Sequence, residues 1–295
     1  MIPPPGTTFV LRLRLLRGSA WMRCLMAEKS DARDRHVKAR RYGVVTVLSF
    51  FGVLFWLGWI EDYPAADVVL MAMLLAALPG LSMVQVPLLS GVPIDRMQAY
   101  WSSTVTLWVL GLSCWLVGTR SGDLSAVGIV SLSPSAVLGW STILTVAGLG
   151  IILGFRWLGG RFRVAETPLL KSLLPKTRRE RSVFGVLSLA AGTCEELAYR
   201  GYVIPMLIPI LGMGSAVVIS SLVFGLMHGY QGWLGIFRTT LMGAVLAWGF
   251  ISSGSLIPAM IAHITIDLIA GILIGDWLLS HEPEFGVDSE ESLSV

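Results

Sequence analysis

The chain has 295 residues, 54% hydrophobic and only 14% charged, with a mean hydropathy of +0.73. Uncharged apolar runs long enough to cross a bilayer recur along it, which excludes a water-soluble globular protein and predicts an all-α polytopic membrane bundle of about eight transmembrane helices. The net charge of +3 conceals ten Lys/Arg in positions 1–42, eight in 156–181 and an all-acidic stretch from Glu282. In a membrane protein such basic clusters are orientation signals, so no nucleic-acid partner is expected.

The N-terminal segment 1–42 lacks an uninterrupted apolar core, because Arg12, Arg14 and Arg17 break the one candidate, so no cleaved signal peptide is predicted. Met26, which opens MAEKSD, is an alternative start to Met1. Apolar spans are predicted at about 43–60, 68–89, 99–118, 136–155, 183–207, 213–230, 234–252 and 256–279. They divide the chain into a basic cytoplasmic segment (1–42), four helices plus a basic amphipathic loop (43–182), a four-helix catalytic core (183–279) and an acidic tail (280–295). With the N-terminus inside, Arg96 and both large basic clusters lie on the cytoplasmic side, and an even number of spans returns the C-terminus there.

The segment between spans four and five, ETPLLKSLLPKTRRERSVF, reads equally as a short interfacial helix followed by a basic stop and as a plain basic loop. Gly150/Gly154 and Gly271/Gly275 have GxxxG spacing and predict close helix packing. Cys24, Cys114 and Cys194 are few and scattered, so buried thiols are expected rather than a disulfide framework or a CxxC metal site.

Span five breaks the apolar pattern. Between Arg181 and Arg238 the only formal charges are Glu195, Glu196 and Arg200, in TCEELAYRG. Three charges at the centre of a membrane helix cost roughly 8–10 kcal/mol, while the eight Leu/Ile/Phe/Val of this span return about 4 kcal/mol. The helix must therefore face other helices or a polar cavity, where ionisable groups are functional candidates. Glu196 and Arg200 stand i,i+4 with the acid first, the favourable order for an ion pair. Glu195 points about 100° away and has no charged partner in its own helix; its i+4 neighbour is Tyr199. Such a carboxylate is a candidate to exchange protons.

Two of the four histidines, His36 and His281, lie in hydrophilic tails. The others lie in the apolar half: His228 in FGLMHG, after Phe224, and His263 in IAHITIDL, one turn before Asp267. A carboxylate and an imidazole together are what activation of a water needs, with or without a metal. Proton- or ion-coupled transport would also need buried acids and histidines, and a non-catalytic immunity or scaffold protein on the same fold is a further alternative. Ser220 and Ser221, near His228, leave a small opening for a serine nucleophile.

In this order EELAYR, FGLMH and HITID resemble the EExxxR, FxxxH and HxxxN/D motifs of the CPBP family, the CAAX-protease and bacteriocin-processing (Abi) group of intramembrane endopeptidases, over about residues 165–275. The resemblance implies a peptide hydrolase of the metalloprotease type, acting on a peptide or lipidated protein substrate in contact with membrane lipids. It implies a water held by Glu195 and His228, an oxyanion or water assisted by His263 and Asp267, and Glu196, Arg200, Tyr199 and Phe224 in support. It allows Zn²⁺ or another divalent ion on Glu195, His228, His263 and Asp267, and no other cofactor. Asp267 stands where the family has Asn or Asp: it can donate to an oxyanion when protonated, orient His263, or bind metal. An apolar chain of this kind is expected in a bacterial inner membrane. One difficulty is depth, because Glu195 lies about 18 Å from the cytoplasmic end of span five while His228 closes span six near that surface.

Overall fold

The computed structural model describes residues 7–120, 122–275 and 277, with side chains from Met26 onward. The described residues form helices and contain no strand. The α-helices, with labels used below, are α1 (Thr7–Phe55), α2 (Ala65–Ala72), α3 (Leu78–Leu89), α4 (Arg96–Gly118), α5 (Pro134–Phe162), α6 (Pro168–Leu173), α7 (Arg178–Glu196), α8 (Ile204–Met227), α9 (Gly232–Ser253) and α10 (Ile257–Leu268). Four wider π-helical segments interrupt or extend them: Trp56–Ile60, Met73–Ala77, Leu197–Val203 and Ile269–Leu273. Cys24 and the acidic tail lie outside the described side chains.

Six helical stretches are long and apolar enough to span a membrane, and Ile257–Leu273 is a shorter apolar helix. One of the six, Arg178–Met227, contains the fifth and sixth spans expected from the sequence. It breaks at Gly212, whose φ of 76° and ψ of 162° turn the chain where only glycine does so without strain. Large apolar side chains stand exposed at helical spacing along the outside, such as Val44, Leu48, Phe51 and Phe55 on α1 and Val105, Val109, Leu112 and Leu116 on α4. Such faces belong against lipid, and the protein is an integral membrane protein.

The helix starts are written in local chemistry. Asp95 accepts from the amides of Met97 and Gln98 to cap α4. Thr177 and Glu180 form a reciprocal capping box at α7. The basic run RRER is thus the first turn of α7, and only Pro168–Leu173 of the preceding segment is a separate short helix.

Two expectations about packing change. Gly150 and Gly154 face open space; the buried stripe of α5 is Ser141, Leu144 and Gly148, and a Cβ on Gly148 would meet Ile266 and Met242. At 3.6 residues per turn that stripe leaves 150 and 154 off the packed face, so their spacing marks no contact. Of the other pair, Gly271 packs closely, since a Cβ there would strike the Phe184 ring of α7, whereas one on Gly275 would make only ordinary contact with Leu174 across the chain, at 3.5 Å. Cys114 and Cys194 are buried and free, with Cys194 pressed against Gly111.

The largest core cluster surrounds Leu197–Val203. All seven residues of that π-helical segment are buried, among Leu57, Met71, Leu74, Leu207, Phe224 and Leu256. The charged residues of span five therefore lie at the centre of the bundle, away from lipid.

Candidate active site

The site is built where α7 gives way to its π-helical continuation. Glu196 is 0% exposed. Its Oε1 accepts from Arg200 Nη1 at 2.9 Å and lies 2.7 Å from His263 Nδ1. A carboxylate already paired with a guanidinium accepts here, so His263 donates through Nδ1–H and its Nε2 faces away from Glu196.

That other nitrogen points into a pair of acids. His263 Nε2 is 3.9 Å from Glu195 Oε2 and 3.8 Å from Asp267 Oδ2. Neither distance is a direct hydrogen bond. Glu195 Oε2 and Glu196 Oε2 are buried without a hydrogen-bond partner among the described residues. Natural proteins leave few such atoms, and each calls for a functional or solvent explanation.

Phe224 joins the two histidines. Its ring lies 4.9 Å from the His228 ring and 6.0 Å, edge to face, from the His263 ring. The Arg200 guanidinium sits 4.3 Å over the same ring and donates through Nη2 to the Gly243 carbonyl at 3.2 Å. His228 Nδ1 lies 2.9 Å from the Phe224 carbonyl. A carbonyl only accepts, so Nδ1 carries the proton and Nε2 is the free nitrogen of that ring.

The break at Gly212 shortens the sixth predicted span. The part of α8 beyond it has about 15 residues and is roughly 22 Å long, shorter than the ~30 Å hydrocarbon core. Its starting turn, near Pro209 and Ile210, lies beside Glu61 and Asp62 in the loop after the first span. His228, closing this short rod, therefore stops within the bundle, beside Phe224.

Close helix contacts set these distances. A Cβ on Gly192 would come within 2.8 Å of the Ile264 amide nitrogen, so a glycine in α7 lets α10 approach and bring His263 to Glu196. A Cβ on Gly243 would press on Arg200 and Phe224 at 3.2 and 3.3 Å. The π-helical widening after Glu196 accompanies this packing; such bulges recur at functional sites.

Other candidates are placed elsewhere. The Tyr199 hydroxyl donates to the Leu74 carbonyl at 3.5 Å, and its ring packs edge-on against Phe224. Ser220 donates to the Tyr199 carbonyl at 2.9 Å, which gives it a structural bond. Among the described residues no three His, Cys, Asp or Glu side chains gather closely enough to hold a metal ion. Each imidazole gives its Nδ1–H to a protein acceptor and keeps Nε2 free, which is how a metal-ligating histidine is ordinarily held, so the donor chemistry of Glu195, His228, His263 and Asp267 fits a metal although the four are not gathered around one point here.

Sequence spacing missed three features. The carboxylate that holds His263 is Glu196, from another helix, and no motif distance encodes that meeting. Asp67, which reads as part of a linker, lies in the first turn of α2 at 2% exposure, bonded by Tyr202 at 2.7 Å and paired with Arg120. Tyr230, two residues beyond His228, stacks at a tilt on that histidine with ring centroids 5.9 Å apart; an aromatic two positions after a motif histidine was the available signal.

Residues 179–269 match a family model described as type II CAAX prenyl endopeptidase Rce1-like. No curated protein and no solved structure matches the chain. The matched stretch runs from the second residue of α7 to the residue after α10 and contains each of the eight residues singled out from the motifs.

Proposed function

We propose, from the match of residues 179–269 to the Rce1-like family model, that this chain is an intramembrane endopeptidase that hydrolyses a peptide bond with a water activated by Glu195 and an imidazole. The observation that carries the reading is Glu195 Oε2, buried, without a partner, and 3.9 Å from His263 Nε2. Two atoms at that separation can each bond one water lying between and to the side of them, at ordinary distances.

In this reaction Glu195 takes a proton from the water as its oxygen attacks the scissile carbonyl carbon. The carbonyl π electrons move to the carbonyl oxygen. When the tetrahedral intermediate collapses, the C–N bond breaks and the proton held by Glu195 passes to the leaving amine. Glu196, neutralised by Arg200, fixes the His263 ring so that Nε2 addresses the water. His228, whose ring packs on Phe224, contributes its free Nε2 as a second imidazole. Asp267 acts at the developing oxyanion as a protonated donor, or through His263.

The substrate class this reading favours is a peptide or lipidated protein reaching the site from the membrane. No step is routed through a metal. The metalloprotease alternative, with Zn²⁺ or another divalent ion on the same four residues, is separated by a chelator: loss of activity restored by Zn²⁺ supports a metal, whereas indifference supports the protein-only route.

The test is cleavage by the purified full chain, in detergent micelles, of a peptide set that includes prenylated CAAX peptides, with cut sites read by mass spectrometry. Glu195→Gln should lower the rate about 10²–10⁴-fold while yield and thermal unfolding stay at wild-type values. A Gln variant that keeps most of the activity would sink the water-activation mechanism.

A further inference from the structure

We propose that Tyr230 is a further catalytic residue, whose phenol donates a hydrogen bond to the oxygen of the scissile carbonyl as it becomes an oxyanion. The inference rests on the proposed peptidase reading. Tyr230 lies in the 3₁₀ turn Gly229–Gln231 that follows His228, between α8 and α9. Its ring leans on the His228 ring at 5.9 Å and an interplanar angle of 37°. Through His228, whose ring shares Phe224 with the His263 ring, Tyr230 joins the cluster of rings around the site.

The direction of its proton follows from a chain of obligatory donors and acceptors. Arg238 Nη1 pairs with Glu166 Oε1 at 2.5 Å, and Arg238 Nη2 donates to Gln231 Oε1 at 2.8 Å. A guanidinium has no acceptor, so the Gln231 carbonyl oxygen must face it and the amide nitrogen must face the other way. That nitrogen donates to Tyr230 Oη at 3.1 Å. The phenol oxygen is thereby an acceptor toward Gln231, and its own O–H remains to be given to something else. The backbone is held as firmly: Thr167 Oγ1 donates to the Tyr230 carbonyl at 2.6 Å, and the Gln231 amide donates to the His228 carbonyl at 2.9 Å. The strand of chain before α6 and the first turns of α9 thus clamp a short turn that carries an imidazole and an uncommitted phenol side by side.

A clamped, preoriented donor costs no reorganisation when charge develops on the carbonyl oxygen, and removing one such donor typically lowers the rate 10²–10³-fold. The developing oxyanion has room for more than one donor, and a phenol beside His228 adds a hydrogen bond to whatever Asp267 supplies. A residue that acts only on the transition state changes kcat and leaves ground-state binding alone.

The experiment compares wild type, Glu195→Gln and Tyr230→Phe on a peptide the wild type cuts, together with a phosphinate analogue of that peptide as a tetrahedral-anion mimic. Tyr230→Phe should lower kcat 10²–10³-fold, weaken phosphinate binding by a similar factor and leave KM within about twofold. Gln231→Leu, which keeps the phenol but removes the bond that aims it, should lower kcat about tenfold with KM unchanged, and carries the test if Phe at 230 reduces the folded yield. A Tyr230→Phe enzyme within about threefold of wild type, beside an inactive Glu195→Gln, would overturn the phenol's role and leave the peptidase reading standing. A loss in which KM and phosphinate affinity worsen together would mark Tyr230 as a packing residue and overturn the role equally. Full activity in Glu195→Gln would instead bring down the water activation by Glu195 on which the role depends, and a wild type that cuts no peptide would bring down the peptidase reading itself.

Discussion

The π-helical segment Leu197–Val203 has a buried carboxylate at each end, and the two are treated differently. At its far end Asp67 has both oxygens occupied, Oδ1 by the Tyr202 hydroxyl and Oδ2 by Arg120, which is half exposed. At its near end Glu196 spends one oxygen on both Arg200 and His263, and it and Glu195 each keep a buried oxygen without a partner. A carboxylate with a partner on each oxygen is engaged in holding the chain. An unsaturated one beside a free imidazole nitrogen keeps capacity for a water or substrate, at the cost of a less satisfied interior. The two clusters pin one segment, but only the near one keeps buried carboxylate oxygens without a partner among the described residues.

The comparison is tested most severely at Arg200. Arg200→Ala removes the cation from a pair in which both side chains are at most 1% exposed, leaving Glu196 charged and buried. Breaking such a pair typically costs about 3–5 kcal/mol, so folded yield, thermal stability and activity should all fall. Near wild-type stability would mean that His263 alone neutralises Glu196.

Next in size is Asp267, on the reactive side. Asp267→Ala should lower the cleavage rate about 10²–10³-fold with stability nearly unchanged, because one third of its side chain is exposed and it makes no direct bond to His263. Asp267→Asn should keep most activity if the group donates to an oxyanion. An inactive Asn variant would remove the donor role and shift weight to metal binding, which a chelator titration then checks.

On the saturated side, Tyr202→Phe leaves Asp67 Oδ1 buried and unbonded, and about 1–3 kcal/mol of stability should be lost, read as a lower unfolding temperature. The rate per folded molecule should stay within a few-fold of wild type. A large drop in kcat without loss of stability would break the division between a holding cluster and a reacting one.

The gentlest test asks which cluster faces which side. The basic stretch around Lys176 should be cytoplasmic and the 119–135 loop next to Arg120 external. Impermeant thiol labelling of intact cells should miss Lys176→Cys and reach Ser125→Cys, neither change affecting activity. The reverse pattern would invert the orientation and the side from which substrate enters.

Much of this was legible before any coordinates. A bilayer admits few solutions for a backbone, so apolar run lengths read directly as helices. Six long apolar stretches and one shorter helix cover the predicted spans, the fifth and sixth within one stretch that turns at Gly212, and together they make a polytopic helical bundle. The Glu196–Arg200 pair follows from i,i+4 spacing inside one helix. The same logic failed at Gly150 and Gly154, because spacing tells which residues share a face but not whether another helix covers it. It also left Asp67 in a linker, since its partners Arg120 and Tyr202 come from distant parts of the chain.

The amino-acid sequence by itself therefore determined the class of protein, the order of its helices and the contacts made within a single turn, because these depend on local geometry and on the solvent around the chain. Which carboxylate holds His263, which stays free beside it and how His228 reaches the same aromatic ring were decided by the tertiary structure. Those meetings depend on how closely α7, α8 and α10 approach one another, and that is set by missing side chains such as those of Gly192 and Gly243, by the chain turn at Gly212 and by the widened helix after Glu196. Packing energies of this kind are sums over surfaces from distant segments, and no spacing along one segment encodes them.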